Sequence, residues 1–223
     1  MKQIPLLFEN EYCMVFCKPA GLAVQGGEGV GTSLDSILKE SFSVRPLLVH
    51  RLDKDTSGVI LVAKNPEAAS VFSGVFQGKQ AGMLKQYIAV TSGIPDPKEG
   101  VIRLDLEIQG KIKKSETSYR LLEHGNLSSI PFSVMELEPG TGRMHQIRRH
   151  LMYIKHPVLG DDKYGDFSLN REIKKYTGQK RLLLHAYRLK IPPLRPVLPD
   201  GLDIKAPVPD YFFPFLSEAW KLG

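Results

Sequence analysis

The chain has 223 residues, 42% hydrophobic and 24% charged, a balance that suits one large domain or two subdomains sharing a core. No stretch approaches the roughly eighteen consecutive apolar residues of a membrane span, and Met1-Lys2-Gln3-Ile4-Pro5 lacks the apolar core of a signal peptide, so a cytoplasmic protein is expected. The formal charge is +6 and the cations cluster at Lys111/Lys113/Lys114, between Arg143 and Lys155, and at Lys174/Lys175/Lys180/Arg181, which favours a polyanionic partner, nucleic acid first.

In chain order, residues 12–17 alternate like a strand and end in a turn at Lys18-Pro19-Ala20-Gly21. Cys13 and Cys17 share one face of that strand about 13 Å apart, too far for a disulfide or a common metal. The glycines between Gly26 and Gly31 read as a loop. Thr32 or Ser33 caps a short helix with Leu34, Ile37, Leu38 and Ser41 along one side. A buried strand is predicted at 59–63. Asn65 as N-cap and Pro66 at the first helical position then open a helix through Phe76. Further strands are predicted at 85–91, 102–108, 117–122 and 133–138. A helix at 143–153, capped by Thr141, carries Met144, Ile147, Leu151 and Ile154 on its inner side. Strands at 181–189 and 202–206 close the chain, the second after a turn at Asp200-Gly201. This order lacks strict βαβ alternation and predicts an α+β fold, a mainly antiparallel mixed sheet flanked by helices and loops.

Most of the chemistry sits between Leu48 and Asn65. Asp53 stands among His50, Arg51, Lys54 and Asp55 directly before a buried strand, and loops held by rigid strands are where reactive groups tend to sit. An ordinary charged turn would have the same composition, but the wording is far more specific. His50-Arg51-Leu52-Asp53-Lys54-Asp55-Thr56-Ser57-Gly58, followed by an apolar strand and Ala63-Lys64, resembles the signature of the RluA-type RNA pseudouridine synthases. Lys18-Pro19-Ala20-Gly21-Leu22, Lys85-Gln86-Tyr87-Ile88-Ala89-Val90 and Gly142-Arg143-Met144-His145-Gln146-Ile147-Arg148 are similar to other motifs of that family, in its order. So are His156-Pro157-Val158-Leu159-Gly160-Asp161 and Arg181-Leu182-Leu183-Leu184-His185-Ala186. The chain departs at Met144, where Thr is usual, and at Arg149, where a smaller residue is common. The run Arg148-Arg149-His150-Leu151, with Gly165-Asp166 and Asn170-Arg171, looks closer to the tRNA-modifying TruC branch.

The resemblance implies Asp53 as the nucleophile that lets uracil leave its sugar. It implies Tyr87 against the target base, helping to remove the C5 proton, and Arg181 paired with Asp53. Arg51 would enter the helix where the extruded base had been. His50 and Thr56 in the signature, and Lys113 and Lys114 in the basic cluster, are expected to bind RNA. The expected scaffold is the pseudouridine synthase catalytic fold with a central RNA-binding cleft, residues 1–223 forming one domain of two subdomains on one sheet. The first motif is reached by Lys18, so a preceding S4-type RNA-binding domain is not expected, and a monomer is. The RNA would be transfer RNA or large-subunit ribosomal RNA.

The residue types suit that chemistry on their own terms. Uridine isomerisation exchanges an N–C for a C–C glycosidic bond without redox or energy input, so no cofactor or metal is expected. A positioned, ionised carboxylate is a competent covalent catalyst, and a neighbouring guanidinium favours its anion. A tyrosine face offers a flipped base roughly 1–3 kcal/mol of stacking. Helix N-termini and arginines both attract phosphate, which assigns Arg143, His145 and Arg148 to the floor of the site or to RNA. His145 and His150 do not share a helix face as a metal pair would. The kinase-like letters around Asp53 lack the required His-Arg-Asp order and the Asn that follows it. A rival reading is a non-catalytic RNA-binding or RNA-chaperone protein on the same fold. That rival would tolerate loss of Asp53, Tyr87 or Arg181, and all three are present.

Overall fold

The computed structural model describes residues 4–27, 31–43, 45–78 and 81–221; Glu28, Gly29 and Val30 of the expected glycine loop lie outside them. The early elements are β1 (Leu6–Glu9), β2 (Cys13–Lys18), α1 (Leu34–Ser41), β3 (Leu47–Leu48), β4 (Ser57–Ala63) and α2 (Pro66–Phe76). The middle of the chain gives β5 (Leu84–Ser92), β6 (Glu99–Arg103), β7 (Leu106–Ile108), β8 (Lys111–Lys113), β9 (Glu116–Leu127) and β10 (Ile130–Pro139). Then follow α3 (Gln146–Tyr153), α4 (Phe167–Thr177), β11 (Leu184–Ile191), β12 (Leu202–Lys205), a 3-10 turn (Asp210–Phe215) and α5 (Glu218–Lys221). This is the expected α+β arrangement, with mainly antiparallel sheet flanked by helices. Two compact units divide the chain: Met1–Lys85 with Ala186–Pro207, and Gln86–His185 with Val208–Gly223.

The first unit is organised by β4, buried along its whole length as its apolar run requires. It pairs antiparallel with β2, from Cys13 opposite Ala63 to Lys18 opposite Gly58. Val59, Leu61 and Ala63 belong to one apolar cluster with Ala68, Phe72 and Val75 of α2, and with Leu189 and Ile191 of β11. Phe72 is fully buried, a site where truncation to Ala typically costs about 3–5 kcal/mol. Both early helices start where the sequence says. Asn65 Oδ1 accepts from Ala68 N at 2.9 Å with Pro66 at the first position, and Ser33 and Ser36 cap α1 reciprocally. Gly58 adopts φ +114°, and a Cβ there would lie 2.1 Å from the Ala186 carbonyl oxygen. The glycine closing the Asp53 signature is therefore required by backbone contact with the last motif of the chain.

The second unit contains an antiparallel sheet in the order β5-β10-β9-β6, with Tyr87 opposite Leu137. The single strand expected at 102–108 is broken. Its first part, β6, pairs with β9, and β7 pairs with β8 as a separate ribbon. Gln109 and Gly110 turn that ribbon at positive φ, and the Ser115 hydroxyl donates to Leu104 O at 2.6 Å where the two parts separate. The helix expected at 143–153 begins three residues late. The Thr141 hydroxyl donates to the Gln146 side chain instead of accepting from a helix-end N–H, and His145 precedes the helix at φ 52°. Met144 is accordingly outside α3 and half exposed, not on an inner face, whereas Ile147 and Leu151 are buried. α4 was not anticipated, although Asp166 caps it on Ser168 N and Leu169 N and Gly178 ends it at φ 67°. Near the C-terminus, Glu123 accepts from Ser217 N, Ser217 Oγ and Trp220 Nε1. Among the described residues no helix is long and apolar enough to cross a membrane.

Candidate active site

Asp53 lies, partly buried, in the loop between β3 and β4, and its carbonyl accepts from Thr56 N at 3.2 Å. The loop is held by Lys18, at the end of β2. Lys18 has no exposed surface, and its ammonium donates to Pro19 O at 3.0 Å, Leu22 O at 2.8 Å and Lys54 O at 2.9 Å. Lys54 O also receives Gly21 N at 2.9 Å. The early Lys-Pro-x-Gly turn and the Asp53 loop thus form one hydrogen-bonded piece. Burial pushes the Lys18 ammonium down to about 8, against the attraction of Asp55 and Asp53, so it remains charged at neutral pH. A buried ammonium with all three donors used is a strong constraint on neighbouring backbone. The sequence reading put Lys18 only in a turn; its place at the end of an apolar alternating strand was the available signal.

Tyr87 and Arg181 lie in the second unit. Tyr87 is half-buried on β5. Arg181 is exposed, its guanidinium 5.5 Å from the centre of the Tyr211 ring. The backbone two residues after it is held by two other motifs. Leu183 N donates to Leu159 O, Leu159 N to Val90 O, and Val90 N to Leu183 O, at 2.9–3.0 Å. Gly160 sits so close that a Cβ would come 2.0 Å from Arg181 O.

The basic helix divides into inner and outer residues. Arg148 was expected at RNA or the site floor, but it is 5% exposed and grips buried Asp161 through two 2.7 Å hydrogen bonds. Burial alone would raise the Asp161 carboxyl; hydrogen bonds from Arg148 and from Tyr164 N and Lys163 N overcome it and hold it below the usual carboxylate range. The Tyr164 ring lies 5.2 Å from the Arg148 guanidinium, and its hydroxyl meets His145 Nδ1 at 3.0 Å. Arg148 is therefore an internal brace, His145 is oriented by Tyr164, and Arg143 stays exposed at the surface. His150 is fully buried with Nε2 3.0 Å from Ser115 Oγ. Because that hydroxyl donates to Leu104 O, Nε2 must carry the hydrogen, which ties α3 to the base of the ribbon, and burial pushes the imidazole below its ordinary value, favouring the neutral ring.

Two residues of the signature also turn inward. His50, expected to bind RNA, accepts from Leu61 N at 2.9 Å and stacks on Phe76 at 4.0 Å. Burial, with a smaller contribution from the charge of Lys85, pushes its imidazole down to about 3, so it is a neutral acceptor supporting β4. Thr56, also expected at RNA, is buried, 2% exposed. Arg51, Lys113 and Lys114 remain exposed.

An α+β protein with a formal charge of +6 and exposed lysine and arginine clusters suits a polyanionic partner. Residues 12–153 match the family described as RNA pseudouridylate synthase. The chain is 34% identical over 221 residues to the ribosomal large subunit pseudouridine synthase C of Rickettsia typhi, covering 93% of this chain and 69% of that protein. It is 35% identical over 218 residues to the protein of the same name from Salmonella typhi, covering 91% and 66%. Two solved human structures, RNA pseudouridylate synthase domain containing 4 and 1, superpose with TM-scores of 0.75 each. Their identities are 25% and 26%, over 94% and 99% of this chain and 90% and 93% of theirs. The chain belongs to the RNA pseudouridylate synthase family, as its motifs suggested, and is an RNA uridine-to-pseudouridine isomerase.

Proposed function

We propose that this enzyme isomerises a uridine of structured RNA through Asp53 after flipping that uridine out of its stack, as one catalytic domain in the cytoplasm. Large-subunit ribosomal RNA is the favoured substrate, because it stands in the names of the bacterial relatives, with transfer RNA the alternative. The observation that carries the Asp53 assignment is the clamp of Lys18 on the Asp53 loop. A buried ammonium anchored by Pro19 O and Leu22 O gives its third donor to Lys54 O and so ties down a loop whose carboxylate-bearing residue is only partly buried, which is how a reactive group is kept positioned rather than merely solvated.

In the proposed reaction the Asp53 carboxylate permits the N1–C1′ bond to break. The uracil turns, and C5 bonds to C1′. The C5 proton leaves with help from Tyr87, and N1 ends with a proton, so no atoms are gained or lost. Extrusion costs a few kcal/mol, offset by stacking on Tyr87 and by phosphate contacts. Arg181 pairs with Asp53, and Arg51 occupies the place of the extruded base. Asp53→Asn, a nearly isosteric change, is expected to lower turnover by roughly a thousandfold or more while RNA binding persists. Release of tritium from C5-labelled uridine in ribosomal and in transfer RNA reads the activity and the substrate together. Full release by the variant would reject Asp53 as the nucleophile.

A further inference from the structure

α4 lies beyond the matched family segment and has no part in the proposed chemistry. One side of it is anchored by buried Ile173. At 3.6 residues per turn, Phe167, Arg171, Lys174, Lys175 and the capping Gly178 fall within an arc of about 100° on the other side. All five are exposed, Phe167 by 60%. Glu172 and Tyr176 project from the flank outside that arc, and Asp166 is occupied in capping the helix.

Surface cations of this protein are of two kinds, paired with a carboxylate and unpaired. Arg45, Arg103, Arg120 and Arg188, arginines elsewhere on the surface, form ion pairs with Asp35, Glu116, Glu136 and Asp203. Among the described residues, Arg171, Lys174 and Lys175 have no ion-pair partner. The stripe runs roughly 16 Å at 1.5 Å per residue and leads, through Gly178 and Lys180, to Arg181. An exposed phenylalanine at one end of an unpaired cationic row has the composition of a single-strand platform: a face on which a base stacks, then charges spaced for a backbone.

We infer that the Phe167–Arg171–Lys174–Lys175 side of α4 binds an unpaired stretch of RNA flanking the target uridine. Phe167 stacks one base, and the three cations neutralise phosphates on the way to Arg181. This rests on the RNA-modifying reading above and adds a contact surface to it. The cations alone would suit an acidic protein equally; the flat ring at the end of the row favours RNA, every base of which offers a face to stack on it.

The test uses the full chain and an oligouridine of about 20 nucleotides, with affinity followed over roughly 50–200 mM salt. Single strands give a log–log salt slope of about −0.7 per neutralised phosphate, so Arg171→Gln/Lys174→Gln/Lys175→Gln should reduce the slope by about 2. Phe167→Ala should weaken binding roughly tenfold with the slope unchanged, because stacking releases no counterions. Glu172→Gln, on the flank, should leave the slope as it is. Thermal melting should be unchanged in all three, since the altered side chains are exposed. A folded triple variant with the wild-type slope, or Phe167→Ala with wild-type affinity, overturns the inference. A slope loss without any effect of Phe167→Ala identifies a purely electrostatic surface, as for an acidic protein partner, and also overturns it. Tritium release by the wild-type chain is measured in parallel, so failure of this surface and failure of the isomerase reading give different results.

Discussion

Two buried cations, one in each unit, do opposite work. Lys18 gives its ammonium to three main-chain carbonyls, one of them in the loop that carries Asp53. Arg148 gives its guanidinium to the side chain of Asp161, fully buried and itself bound to Lys163 N and Tyr164 N. A lysine that holds carbonyls fixes where a loop lies, its donors spent on main chain rather than on a carboxylate. An arginine that holds a carboxylate neutralises it. In the proposed function the first arrangement serves a reactive group; the second serves the stability of the unit around it.

The largest effect expected from this contrast is on stability. Arg148→Ala leaves the Asp161 carboxylate buried with two backbone amides but no cation, and should cost about 3–5 kcal/mol in denaturant unfolding. A loss below about 1 kcal/mol would mean the pair is not the brace described here. Lys18→Met should act mainly on rate, lowering kcat up to about 100-fold because the Asp53 loop loses its clamp. If Lys18→Met lost stability but kept the wild-type kcat, the difference between the two cations would disappear. The pH dependence of stability gives the smallest and finest test. The folded His50 imidazole titrates near 3, while an unfolded histidine titrates near 6.5, so between those values only the unfolded chain takes up the proton. Stability must therefore fall as pH is lowered through that window, by about 2 kcal/mol at pH near 5 from His50 alone. Buried His150, also lowered by desolvation, adds in the same direction. His50→Gln should flatten the slope of unfolding free energy against pH between about 5 and 7, leaving the part due to His150.

Much of the scaffold was legible because its causes are local. α2 announces itself by Asn65, Pro66 and paired apolar positions, and β4 by an unbroken apolar run. α4 had equally local signals in Asp166 and Gly178, and Leu169, Ile173 and Tyr176 recur at helical spacing, but of these three only Ile173 is buried. The start of α3 was misplaced because Thr141 and Arg143 N both reach the Gln146 side chain, a local competition that propensity does not register. The break between β6 and β7 was missed because the alternation of apolar residues continues across it, while the pairing partner changes from β9 to β8.

The sequence by itself determined the family, the carboxylate in its loop and the motifs around it, since these depend on residue identity and order. Only the tertiary structure decided which basic and polar side chains face outward. His50, Thr56 and Arg148 look like RNA ligands in the sequence, yet burial, with Leu61 N as partner for His50 and Asp161 for Arg148, withdraws them. The charge of a side chain is written in its letter. Its availability depends on burial and on partners many residues away, because desolvation and pairing determine whether a cation holds the protein together or remains open to a ligand.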